Sequence, residues 1–165
     1  MSNVTTLDPA TRTDARATTA TDYALLALRL VLGIVFMAHG AQKVFGAFGG
    51  PGWANVIKGM GPVLGVLVPI GEFFGGLGIL LGFLTRFSAA SIAVIMLGAI
   101  LKVHLANGFF MNWGGKQAGE GFEYHLLVIG MCAALLLTGP GLLNIGRSLP
   151  LPKRPDTGNL VPALE

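Results

Sequence analysis

The chain is short of almost everything a small soluble domain uses to stay in water. Only 12% of its 165 residues are charged, where soluble domains carry roughly a quarter. A domain of this size has too much surface for so few charges to solvate, so a water-soluble monomer is not expected. There is a single cysteine. That excludes a disulfide framework, a CxxC redox pair and a cysteine-rich zinc site. No haem or iron–sulfur ligand pattern is visible. The net charge of +3 comes from dispersed basic residues, with no basic stripe and no nucleic-acid motif. Nucleic acid is therefore not an expected partner, and the charge reads as a signal of membrane topology.

Apolar residues are what the chain does have, at 53%, with 25 glycines among its residues and a mean hydropathy of +0.70. Residues 1–22 are Thr-, Ala- and Asp-rich, and no apolar core follows their basic positions as a signal peptide requires. They read as a disordered tail, with the first apolar segment as an uncleaved anchor. Four apolar segments follow, at about 23–45, 62–84, 87–107 and 122–139. Each approaches the ~20 residues that carry a helix across ~30 Å of hydrocarbon. None alternates as a barrel strand does. The expected fold is an all-α integral membrane four-helix bundle over 23–146, with tails at 1–22 and 147–165.

Segments two and three are joined by a few residues around Thr85 and Arg86, a tight hairpin. The other connections, 46–61 and 108–121, are longer and Gly-rich, and each carries a tryptophan, Trp53 or Trp113. Tryptophan favours the membrane interface, so both loops are expected to lie on the bilayer surface and cap one side. Arg12, Arg16, Arg86, Arg147, Lys153 and Arg154 fall on the side of the termini, against Lys58 and Lys116 in the loops opposite. The positive-inside rule then puts both termini in the cytoplasm.

Charged residues at bilayer depth cost at least ~2.5–3.5 kcal/mol each near the centre, yet several are kept. Glu72 lies about 15 Å into segment two, near the midplane. His39 lies about 9 Å from the outer end of segment one. Lys43, Lys102, His104, Glu123 and His125 sit in the outermost turns. All three histidines of the chain thus fall in the outer half, on different helices. At 100° per residue, Lys43 lies about 40° and His39 about 80° from Arg29 around the first helix, one inward arc. Gly65, Pro69, Gly75, Gly76 and Ile79 share the face of Glu72, which is nearly bare of side chains. Small residues allow close helix approach and also leave room for a ligand.

Glu72 is therefore the expected centre of any site, with Arg29 below and His39 above as its partners. Lys102 and His104 are two residues apart and cannot share a face; His104 is expected inward, with Lys102 snorkelling. The bland readings stand beside these. Arg29 also fits a snorkelling residue, and Lys43, Lys102, Lys116 and Glu123 ordinary interface residues. Glu72 also fits a structural ion pair, and Cys132 an inert small hydrophobe. The GGPG of the first loop lacks the GK[ST] of a phosphate loop and has no flanking strand.

The run RLVLGIVFMAHGAQKVFG carries Arg29, Leu32-Gly33, Phe36, His39-Gly40 and Lys43, and GEFFGGLGILLGFLTR carries Glu72, Gly75, Gly76, Gly82, Thr85 and Arg86. Together they resemble the DoxX family of small bacterial four-helix membrane proteins, over about 23–146. The resemblance implies a multi-pass protein of the bacterial inner membrane, similar to the membrane subunit of a thiosulfate:quinone oxidoreductase. Some family members are placed in membrane redox complexes or quinone-stress operons, and many have no assigned activity.

Three readings follow. The first is a quinone-linked redox subunit or accessory, working with a redox partner protein. Glu72 and His39 are then the catalytic candidates, and Arg29, Lys43, His104, Gly75 and Gly76 line the ligand site. The second is a non-enzymatic assembly or scaffold component, in which the same residues form an internal polar lock and the Gly faces are helix contacts, including those of a homo-oligomer. The third is a metal- or small-anion-binding protein using His39, His104 and His125, although no dense ligand spacing supports it and no metal site is expected.

Overall fold

The computed structural model describes the backbone of residues 9–147 and the side chains of residues 20–146. Of the expected tails at 1–22 and 147–165, residues 1–8 and 148–165 lie outside the described residues. The architecture is all-α. Helix α1 spans Pro9–Phe45, α2 Gly52–Met60, α3 Pro62–Leu81, α4 Thr85–Ala99 and α5 Glu123–Thr138. Helix α4 continues through a π turn, Ile100–His104, into a 3-10 turn, Leu105–Asn107. The first helix thus starts within the segment expected to be a tail, while its apolar span begins at Ala20. Helix α2 is a further difference: nine residues of the first Gly-rich connection are helical.

Among the described residues, three helical stretches are long and apolar enough to cross a membrane: 20–45, 62–81 and 85–107. Helix α5 has 16 residues, or about 24 Å at 1.5 Å per residue. The chain just before it is pinned back on the preceding loop, with Gly121, Phe122 and Glu123 donating N–H bonds to the carbonyls of Phe110, Gly108 and Phe109.

The boundaries follow from local chemistry. Pro62 opens α3 at a position whose N–H has no helical acceptor anyway. Gly82 closes it at φ 69°, a left-handed conformation that glycine adopts without penalty. The N–H of Phe83 then reaches back to the carbonyl of Gly78 at 2.9 Å. The chain reverses over two more residues and α4 starts at Thr85, which makes the tight hairpin the sequence leads one to expect. Gly139, at φ 82°, ends α5 just before Pro140.

Helix α1 packs most extensively on α3, α3 on α4, and α4 on α5. The α1–α3 seam is built on glycine. A Cβ at Gly33 would stand 2.8 Å from Leu80, one at Gly76 would stand 2.6 Å from the backbone of Met37, and one at Gly40 would fall on the backbone of Phe73. The register descends along α3 as it rises along α1, so the two helices are antiparallel. It also places Glu72 level with residues near Gly40, only about 7 Å below the end of α1. Helix α3 therefore overshoots α1 by about 8 Å, and α2 packs on the overhang, with Gly65 against Ile57.

The core is Leu25, Leu32, Phe36, Ile79, Ala89, Ile92, Met96, Val128, Cys132 and Leu135. Around it, Val31, Leu67, Phe74, Phe87, Val94, Leu101, Leu127 and Leu137 are all more than half exposed. An apolar belt of that extent is an aggregation liability in water and a solvated surface in lipid.

Candidate functional site

Helix α3 buries Gly65, Pro69, Glu72, Gly75, Gly76 and Ile79, the face that the sequence assigns inward. Glu72 is 4% exposed. Its partner is Lys43, whose ammonium stands 2.5 Å from Oε2. That ammonium is a charge-assisted donor. A carboxylate this deep needs such a partner to remain ionised. Lys43 is therefore more than an interface residue, and the expected pairing of Glu72 with Arg29 is corrected.

Arg29 is fully buried and committed elsewhere. Its Nε donates to the carbonyl of Ile79 at 2.8 Å and its Nη2 to that of Leu80 at 2.9 Å. Nη1 donates to Pro140 and Leu142, both at 2.7 Å, and Nη2 also to Leu143 at 3.2 Å. The guanidinium thus ties the carboxyl end of α3 to the strand of chain leaving α5. The first is an end where helix carbonyls run out of partners and the helix dipole is negative, and the carbonyls beyond α5 lie outside any helix. Arg86 adds a weaker contact of the same kind, Nη2 to the carbonyl of Leu137 at 3.2 Å. Arg29 neither snorkels nor has a donor left for a ligand.

Gly75 and Gly76 are also reassigned. A Cβ on Gly76 would strike α1, and one on Gly75 would meet Ile92 of α4 at 3.3 Å. The bare face of α3 is filled by neighbouring helices, so these glycines serve packing.

His39 is exposed, beside the buried pair. Its ring centroid lies 6.4 Å from that of Phe36 and 6.5 Å from that of Tyr124 on α5. Tyr124 is in electrostatic reach of Glu72 and stands edge-on to His125, with centroids 5.5 Å apart. His125 in turn lies 4.1 Å from His104. His104 ends the row at the loop, its Nδ1 2.8 Å from the carbonyl of Glu120. A carbonyl only accepts, so this nitrogen carries the proton and Nε2 is left as an acceptor. The three histidines are thus strung along one line of rings across α1, α5 and α4.

The π turn at 100–104 lets His104 point inward while Lys102 stays exposed. Such turns recur at functional sites, and a uniform 100° step does not foresee them. Tyr124 was missed by the sequence reading; an aromatic beside a histidine in the first turn of α5 was the available signal. Glu123 has a structural use, its carboxylate accepting the N–H of Met111 at 2.9 Å. Among the described residues, no group of three or more His, Cys, Asp or Glu side chains is placed to hold a metal ion. Cys132 is fully buried in the core.

A bundle of apolar helices around one buried ion pair, with polar rings leading to one end, defines a polytopic helical membrane protein. Comparison with known proteins carries this further. Residues 24–105 match the DoxX family. The chain is 32% identical over 129 residues to the "Inner membrane protein YqjF" of Escherichia coli K12, covering 78% of this chain and 93% of that one. It is 30% identical over 120 residues to the "Putative oxidoreductase CatD" of Bacillus subtilis 168, covering 73% of this chain and 82% of that one. No solved structure matches. The chain belongs to the DoxX family.

Proposed function

We propose that this DoxX protein is a quinone-linked subunit or accessory of a redox system in the bacterial inner membrane, both termini cytoplasmic. The observation that carries the reading is the buried Lys43–Glu72 pair with the exposed His39 beside it, about 9 Å below the outer end of α1. That depth is within hydrocarbon, so a lipophilic ligand reaches His39 sideways from the bilayer. A quinone, when bound, supplies a carrier of two electrons and two protons. The residues present fit such a headgroup: a ring nitrogen at the exposed His39 and a carboxylate paired with Lys43. Glu72 exchanges protons with the site, and His39 bonds an acceptor oxygen. The single buried cysteine offers no dithiol chemistry, so electrons come from a partner protein or from the substrate. The similarity to a protein named as an oxidoreductase supports this reading, and the similarity to one named for the inner membrane supports the location.

A second reading is favoured by the Arg29 clamp and the glycine seam, both devoted to holding helices together. On that reading the protein is a scaffold and the Lys43–Glu72 pair is a lock. Small molecules extracted from the purified wild type and from Glu72→Gln, identified by mass spectrometry, separate the two. Near-stoichiometric quinone in the wild type and its loss in a folded variant support the redox reading. Quinone-free wild type with a merely less stable variant supports the scaffold.

A further inference from the structure

Two buried polar atoms in the row of rings near the ion pair have no partner among the described residues. They are the hydroxyl of Tyr124 and Nδ1 of His125, neighbours in the first turn of α5. His125 is 6% exposed. A buried hydroxyl or ring nitrogen without a hydrogen bond is costly, and native proteins rarely leave one so. Two in adjacent residues, both in the row of rings that starts at His39, mark a place built for an external hydrogen-bonding group. The rings of His39 and Tyr124 are 6.5 Å apart and tilted by 47°. That is a tilted ring contact, and no hydrogen bond joins the two rings. His39 is open to the bilayer on its other side.

We propose that Tyr124 and His125 form the second wall of the ligand site. The Tyr124 hydroxyl donates to an acceptor oxygen of a planar, uncharged dione, and Nδ1 of His125 bonds the same end of that ligand. Helix α1 supplies one side of the site through His39, and α5 the other. The inference rests on the quinone reading and adds to it the residues that grip the ligand from across the bundle. It also accounts for the absence of internal partners for both atoms, which a purely structural tyrosine would have acquired.

The sign of one substitution distinguishes the roles. Tyr124→Phe removes only the hydroxyl. If that group supports the fold, the ligand-free variant loses stability. If it faces a ligand, the ligand-free variant is as stable as the wild type or more so, because a desolvated polar group is gone, while binding weakens. The experiment uses the full-length protein in lipid nanodiscs with ubiquinone-1 and menadione as probes. Equilibrium dialysis gives Kd, and thermal unfolding without probe gives Tm, for wild type, Tyr124→Phe and His125→Phe. The expected result is an unchanged or raised Tm for Tyr124→Phe and a Kd about tenfold weaker for each variant, the scale of one lost hydrogen bond. Binding by either variant within about twofold of the wild type overturns the assignment of that residue, being well inside the tenfold expected. A lowered Tm for ligand-free Tyr124→Phe makes the hydroxyl structural and overturns it too. Wild type that binds neither probe removes the quinone reading itself, and this inference with it.

Discussion

Breaking the Lys43–Glu72 pair one charge at a time should give unequal losses. The Glu72 side chain is 5% exposed and that of Lys43 24%. Lys43→Met leaves a carboxylate in the core with nothing to neutralise it, and removing one partner of a buried pair costs about 3–5 kcal/mol. Glu72→Gln strands an ammonium that already reaches the surface, and its long stem lets the charge move further out. The cost there is about 1–3 kcal/mol, that of a buried polar partner left unsatisfied. Lys43→Met with Glu72→Gln removes both charges, and the coupling energy between the two positions should be about 1–3 kcal/mol, as for residues in direct contact. Reversible unfolding in mixed micelles measures all four proteins. If Lys43→Met is no worse than Glu72→Gln, or the two effects add within about 0.5 kcal/mol, the pair does not hold the geometry described.

Arg29→Lys keeps the charge and supplies three donors where five bonds exist. At least two carbonyls lose their partner, and a loss of about 2–4 kcal/mol in the same unfolding assay is expected; a neutral result would show the clamp to be dispensable. Gly40→Ala puts a methyl on the backbone of Phe73, which cannot yield, and should cost at least ~1–3 kcal/mol. Gly98→Ala, with nothing near its added carbon, should be neutral or stabilising by up to about 1 kcal/mol, and equal losses at both positions would discount the seam. Cys132 should resist a membrane-permeant maleimide in the folded protein and react promptly in denaturing detergent. Fast labelling of the folded protein would place that part of α5 outside the core.

The helices were legible because hydrophobic length and helical period are local. The inward face of α3 could be read from Glu72 and its glycines alone, and angle arithmetic turned Arg29 and Lys43 inward, whereas His39, assigned to the same inward arc, is exposed. The hairpin at Gly82–Thr85 was legible from its length. The partners were not. Arithmetic on one helix gives the angle of a side chain but not its height against a second helix. Measured from its own end, Lys43 sits at the edge of α1 and Glu72 in the middle of α3, and on that measure the two miss each other.

Composition, period and the glycine pattern by themselves determined a membrane bundle of four main helices with Glu72 inside it. The sequence also held every residue of the polar row. Tertiary structure alone decided that α3 overshoots α1, which brings Lys43 to Glu72 and sends Arg29 to the carbonyls of Ile79, Leu80 and the chain beyond α5. It alone turned His104 inward through the π turn and set Tyr124 between His39 and His125. The physical reason is steric. Interhelical register is fixed where Gly33, Gly40 and Gly76 let backbones touch, and that contact belongs to two helices at once.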